Sequence, residues 1–412
     1  MGIKKIVLGC ALLLLLSTTC AWAGCGIEKG SVRILSNDFG ALNAVTDMAK
    51  TCEGDGVTVT INRTAEHRDL QVAALTADPA EYSAVIVANS SITPLLNKGL
   101  IRPLDDLVAK YGGSLKKTQL ITIDGKIMAI AFMANAQHLY YRKDILEKAG
   151  VAVPSTYEEV LAASKAIRDK GLMANPFASN FKVGWNLGEE FVNMYLGYGG
   201  EFFKPGTAEV SINNKKGVAA LNMLKSLVEY ANPDFLTYDS NASAAEWEAG
   251  KAALMIGWGS RSGALLDDEG ATREIVANTM LAGAPAVGGG SRPATTLWWD
   301  GFTIAKNISD EDAAASFIAM MKGISPEMVK ANNDLSVWLI DGYKPGKGAQ
   351  GVFASAQAGA SPYPMLPFMS PLHTALGSEI SEFLQGKENA EKALADVEAA
   401  YTAAAKEKGF LK

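Results

Sequence analysis

The residues able to do chemistry in this chain sort quickly into those that cannot converge and those that can. His67, His138 and His373 are its three histidines, far apart in sequence and without a cysteine motif beside them. A zinc site needs three or four such ligands, so neither a metal nor another cofactor is expected. Tyr140-Tyr141 could offer two phenolates to ferric iron, but neighbours in a strand point to opposite faces, which favours packing. There is no Gly-x-Ser-x-Gly elbow for a serine nucleophile. Paired carboxylates could hydrolyse glycosides if the fold set their separation. Asp105-Asp106 and Asp267-Asp268-Glu269, however, fall where caps and solvated loops are expected, and no catalytic residue is assigned. The tryptophans are more informative. Trp185, Trp258, Trp298 and Trp299 sit at or near expected strand–helix corners or crossings, with Asn, Asp and Arg close by in sequence. Flat rings stack on the C–H faces of sugars, while amides, carboxylates and guanidinium groups bond vicinal hydroxyls. Core packing is the competing reading for each ring. Trp298 and Trp299 are adjacent in an extended run, so one of the two should face a cleft.

These groups need a scaffold that brings corners together, and the patterning supplies one. Residues 31–35, 57–61 and 82–87 read as strands, the last a continuous apolar run suited to burial on both faces. Helices are expected over 41–51, 70–77 and 92–98. Ligands bind at the carboxyl ends of strands in open α/β sheets. Asn37, Asp38, Asn89 and Ser90, in the corners after the first and third strands, are therefore candidate contacts, with helix N-capping as the plain alternative. Residues 124–167 read as a turn at Asp124-Gly125, a strand, a polar corner at 133–137 that includes Asn135, a second strand and two helices. Gly150 should end the first helix, and Ser155 or Thr156 should cap the second. Further on, a polar and aromatic stretch at 180–185 precedes a helix at 188–196, and 217–230 and 242–249 also read as helical. A strand at 250–256 runs into the Gly-rich corner 257–263, which carries Trp258 and Arg261 and lacks the P-loop pattern. Residues 295–305, carrying Trp298, Trp299 and Asp300, read as a crossing between two bodies. Helices are expected over 312–321, 327–332, 371–384 and 390–405, with a loop at 342–351.

Length and ends bound the class. Residues 1–23 show Lys4-Lys5, an apolar core and Ala21-Trp22-Ala23, the pattern of a secretory signal cut before Gly24. Cys25 leaves a lipid anchor as the second reading, with Trp22 a poor fit to a lipobox. Cleavage would remove two lysines and no acid, taking the net charge from −6 to −8. That balance argues against nucleic-acid binding. A length of 412 residues, less the leader, exceeds what one core usually supports, so two lobes are expected. Cys25 and Cys52 would remain, and in an oxidising compartment an even count suggests a disulfide. A helix returning beside the start of the first strand would bring them together. Two unpaired thiols are the alternative.

Several stretches carry a resemblance. Asp124-Gly125-Lys126, Leu139-Tyr140-Tyr141-Arg142-Lys143-Asp144, Leu146-Glu147-Lys148-Ala149-Gly150 and Val153-Pro154-Ser155-Thr156-Tyr157-Glu158-Glu159 resemble the extracellular solute-binding proteins of ABC importers, sugar-type and maltose-binding-protein-like. The runs 250–259 and 386–409 are similar to the same family. The resemblance implies an α/β, periplasmic-binding-protein-like (type II) fold, two lobes joined by a hinge, each expected to hold a mostly parallel sheet. It implies a first lobe of residues 24–135 plus 301–345 and a second of 136–300 plus 346–412. It also implies a monomer, outside the cytoplasm in the periplasm, that closes on a sugar or polyol and serves an ABC transporter permease without catalysis. A polyamine or metal-chelate receptor is the next reading, and a secreted glycan-degrading enzyme the third. In the family's pattern an acidic hinge contact falls on Asn135, a tryptophan falls near His373, and an aromatic and charged corner falls on residues 88–91. These departures point away from maltose and toward a smaller sugar, a sugar acid or a polyol.

Overall fold

The computed structural model describes residues 25–412. The expected leader and its cleavage point lie outside those residues. Where the pattern alternates or runs apolar, strands form. They are β1 (Gly30–Ser36), β2 (Val57–Arg63), β3 (Ala84–Ala88), β4 (Leu120–Ile123), β5 (Lys126–Asn135), β6 (Gln137–Arg142), β7 (Phe177–Ala178), β8 (Leu254–Trp258), β9 (Thr279–Ala282), β10 (Thr296–Ile304), β11 (Val337–Trp338) and β12 (Ser361–Pro362). One sheet runs β11-β5-β10-β3-β1-β2, with β4 beside β5 and β12 beside the start of β10. The second runs β7-β8-β6-β9. Each builds its own core: Ile34, Phe132, Phe302 and Phe317 in the first lobe, and Phe191, Tyr195, Leu254 and Tyr401 in the second.

The sheets are mixed, not mostly parallel. β1 runs parallel to β2 and β3, as βαβ crossovers demand. β10 arrives from the second lobe, so it meets β3 and β5 antiparallel. In the second lobe β6 is antiparallel to both β8 and β9.

Local chemistry explains most boundaries. Asp124 and Gly125 both take positive φ, 50° and 77°, which matches the twist of a two-residue hairpin between β4 and β5. Gly150 ends the helix Lys143–Ala149 in the left-handed region at φ 69°. Thr156 and Glu159 exchange side-chain bonds at the start of the helix Tyr157–Asp169, satisfying otherwise orphaned N–H groups. Several boundaries differ from the sequence reading, among them the strand expected at 250–256, which is Leu254–Trp258. The helix expected at 92–98 is Asn89–Asn97, because Ser91 Oγ accepts from the Ala88 N–H at 3.0 Å and the polar corner becomes its first turn. The helix expected at 188–196 is Trp185–Gly197. The loop expected at 342–351 gives way to a helix at Gln350–Gln357.

Three crossings join the lobes. β5 passes into β6 through the single residue Ala136, a tighter hinge than the corner expected at 133–137. β10 is the second. The third follows β11 and leads to Gln350–Gln357, which packs on β6 and β9. A direct bond also spans the lobes away from the crossings: Asn97 Nδ2 donates to the Pro367 carbonyl at 2.9 Å. Cys25 and Cys52 are disulfide-bonded, their Cα atoms 5.1 Å apart. The helix Gly40–Lys50 indeed returns beside the start of β1.

Candidate functional site: the interlobe cleft

The carboxyl ends of the strands face each other across a cavity of about 310 Å³. Its first-lobe wall has Asn37 and Phe39, after β1, and Arg68, in the first turn of the helix His67–Thr76 after β2. Its floor is the hinge, with Asn135, Trp298 and Asp300. Its second-lobe wall has Trp185, Trp258, Arg261, Lys182 and Asp239.

Three indoles form one cluster. Trp185 and Trp258 stack, centroids 6.2 Å apart at 28°. Trp298 stands edge-on to both, at 5.5 Å and 5.8 Å. Its Nε1 donates to Thr296 Oγ1 at 2.7 Å, which fixes the ring. Trp299 packs on the other side, among Met128, Ala129 and Ala305 of the first lobe. Strand alternation thus resolves the adjacent pair, with Trp298 in the cavity wall.

The charges form a second group. Burial pushes the Asp300 carboxyl up to about 6, while the guanidinium groups of Arg68 and Arg261 pull it back. Burial likewise lowers Arg261, to about 10. Arg261 Nη2 donates to Ser240 Oγ at 3.0 Å, and its guanidinium lies over the Phe39 ring, 4.6 Å from the centroid. Arg68 lies over Trp185 at 4.2 Å. Both contacts reach from one lobe to the other. A guanidinium stacked through its face keeps its in-plane N–H donors for other acceptors. Lys182 is paired with Asp239 at 3.3 Å.

The structure distributes the sequence candidates unevenly. Asn37, Asn135, Trp185, Trp258, Arg261, Trp298 and Asp300 line the cavity together. Asn135 is also a hinge tie, its Nδ2 donating to Ser260 Oγ at 3.0 Å and its Oδ1 accepting from the Ser260 N–H at 3.1 Å. Asp38 is exposed outside the cavity and accepts from Asn43 Nδ2 at 2.9 Å. Asn89 holds β10 in place: its Oδ1 accepts from the Trp299 N–H at 2.9 Å and its Nδ2 donates to the Leu297 carbonyl at 3.3 Å. Ser90 and His373 line a smaller neighbouring chamber. His373 Nε2 lies 2.8 Å from the Trp185 carbonyl, so that nitrogen carries the proton, and Nδ1 accepts from the Tyr363 hydroxyl at 2.9 Å. Arg68, Lys182 and Asp239 were missed. Arg68 follows the corner after β2, at the same sheet edge as Asn37, and the strand-end rule extended to that corner would have found it.

A family profile described as bacterial extracellular solute-binding protein matches residues 42–324. The chain belongs to that family. The binding protein is 29% identical over 218 residues to a probable ABC transporter-binding protein of Deinococcus radiodurans, covering 51% of this chain and 50% of that one. It is 30% identical over 155 residues to the maltodextrin-binding protein of Bacillus subtilis, 34% of each chain. It spans about half the length, or less, of these curated relatives. Solved structures match more fully. A solute-binding protein from Agrobacterium radiobacter in complex with ribitol superposes at a TM-score of 0.80, with 21% identity over 92% of this chain and 99% of that one. One from Agrobacterium vitis with bound D-mannitol gives 0.77, with 18% identity over 92% and 99%. The likeness shows the two-lobed, type II binding-protein fold.

Behind the hinge this binding protein buries two neighbouring acids, Glu189 and Glu190. Thr296 Oγ1 lies 2.6 Å from Glu189 Oε1 and 2.7 Å from Asn193 Oδ1. The Asn193 amide is oriented by its own donation to Gln137 Oε1 at 3.2 Å. One hydroxyl cannot give its proton to two acceptors. Trp298 Nε1 also donates to Glu189 Oε1 at 3.1 Å, and the set is satisfied when Glu189 is a neutral acid donating to Thr296, which then donates to Asn193. Burial accordingly pushes Glu189 up to about 8, and Glu190 up to about 7. An acid with a raised folded-state pKa stabilises the fold below its unfolded value, and that contribution is lost as pH rises toward the folded value. Glu189→Gln keeps a donor for Thr296 and removes the titration. Relative to wild type, the variant should gain up to about 1.4 kcal/mol per pH unit between the ordinary carboxyl value of 4.5 and about 8. Urea unfolding at pH 5, 6.5 and 8 tests this. A constant difference between the two proteins would mean that Glu189 is ionised throughout.

Proposed function

We propose that this binding protein captures a neutral carbohydrate or polyol between its lobes and hands it to the permease of an ABC transporter, outside the cytoplasmic membrane. The observation that carries the reading is the pairing of three indoles with Asp300, which is flanked by Arg68 and Arg261, in one cavity fed by both lobes and the hinge. Rings cover C–H faces, and a carboxylate between two guanidinium groups can bond adjacent hydroxyls from both sides. The ribitol and D-mannitol complexes of the structural relatives support the same class. The wall holds four carboxylates, Glu66, Asp69, Asp239 and Asp300, but Arg68 and Arg261 counter Asp300 and Lys182 pairs with Asp239, which disfavours a polyamine. Capture works by closure: a ligand contacting both lobes binds the closed form better and shifts the population toward it.

A thermal-shift panel of monosaccharides, alditols, sugar acids, oligosaccharides and polyamines tests the reading. A neutral polyhydroxy compound should raise the melting temperature in a concentration-dependent way. Stabilisation by polyamines alone would overturn it, and release of products from the oligosaccharides would make the protein an enzyme.

A further inference from the structure

The main cavity does not end at the Arg68–Trp185 pair. A second chamber of about 110 Å³ adjoins it, sharing Arg68, Asp69 and Trp185, and it too lies between the lobes. Gln71 and Ser90 face it from the first lobe, Tyr363 and His373 from the second. Three polar atoms on its wall have no partner among the described residues: Arg68 Nε, Gln71 Oε1 and Ser90 Oγ. Gln71 is 1% exposed. Its amide orientation is set, because Nε2 donates to the Ile86 carbonyl at 2.7 Å, so the atom left without a partner is its oxygen. Burying such atoms unpaired is costly, and the cost is recovered when a ligand pairs them.

The set specifies its partner. Arg68 Nε is a donor, Gln71 Oε1 an acceptor, and Ser90 Oγ either. A hydroxyl can accept from Arg68 and donate to Gln71 at once. Arg68 and Asp69 give the chamber one charge of each sign, which selects a neutral group over either ion, and a carboxylate or phosphate would further set oxygen against the Gln71 oxygen. His373 adds no free group, since both its nitrogens are taken. The volume equals about three or four waters, room for a short hydroxylated arm.

We propose that the second chamber is a subsite for a hydroxyl-bearing extension of the ligand, the free end of an acyclic polyol chain, with Arg68 at the junction reading both parts. The proposal rests on the polyol reading above and adds a length preference to it. Ser90 and His373, outside the main cavity, thereby belong to the ligand's far end.

The test is calorimetric titration with erythritol, ribitol, D-mannitol and a heptitol, on wild type, Ser90→Val, which narrows the chamber and removes its hydroxyl, and Gln71→Met, which removes its acceptor. Far-UV spectra and melting curves establish that each variant folds. Wild-type affinity should rise with chain length. Ser90→Val should lose tenfold or more for the longest alditol that binds and less than twofold for the shortest, and Gln71→Met should show the same trend. If either folded variant changes all alditols equally, or none, the chamber holds only water and the subsite is refuted while the polyol reading stands. If no alditol binds wild type, the polyol reading fails and takes the subsite with it.

Discussion

Replacing Trp298 by alanine should cost the fold about 3–5 kcal/mol, the range for deleting a large buried aromatic. Trp185→Ala should instead cost the fold clearly less and weaken ligand binding by about 2 kcal/mol or more, roughly thirtyfold. The two indoles share one cluster but differ in support. Trp298 is 5% exposed, packs against Tyr363 at 4.3 Å, and is tied through Nε1 to Thr296. Removing it opens a cavity at the hinge and strips a partner from the buried acids. Trp185 begins a helix and is partly exposed, with one face toward His373 at 5.0 Å. Its loss frees the Arg68 guanidinium and removes a stacking surface from the cleft. Denaturant unfolding and calorimetric titration on the two variants check both halves. Equal destabilisation by the two would make Trp185 an ordinary packing residue, and unchanged ligand affinity in Trp185→Ala would remove it from the site.

Opening the disulfide, by the paired change of Cys25 and Cys52 to alanine, should cost about 3–4 kcal/mol. The two cysteines are 27 residues apart, and the loop-closure relation gives that figure for a loop of such length. The bond pins the chain entering β1 to the end of the helix Gly40–Lys50, at a fully buried Cys52 in the first-lobe core. The loss should therefore fall on the first lobe. Scanning calorimetry with and without the bond is the measurement, and a change under about 1 kcal/mol would show that the unfolded chain was not released.

Much of this could be read from the residues because it is local. The alternating threonines of β2, the apolar run of β3, the Asp124-Gly125 turn and the cap at Thr156 each state their own geometry. So did the corner residues Asn37, Trp258 and Arg261, since strand ends converge in such sheets. What escaped was long-range. Asn89 looks like a cap or a ligand contact, yet it serves β10, about 210 residues away, whose pairing with β3 has no local signature. Residues 295–305 were legible as a crossing, but which strands β10 meets in the first sheet and β6 in the second, and hence the mixed sheets, have no local signal. Arg68 follows the corner after β2, where the strand-end rule reaches it, but its stacking partner Trp185 lies in the other lobe.

The bond from Asn97 to the Pro367 carbonyl lies outside the cavity wall, yet it holds one lobe to the other. Every such tie is closure free energy that the solute need not supply, and apparent affinity scales with the fraction already competent. Which solute is taken and how dilute a supply can be harvested are then separate traits, written in different residues. A change at a peripheral position such as Asn97 would then shift the apparent affinity for every solute alike and leave selectivity as it was.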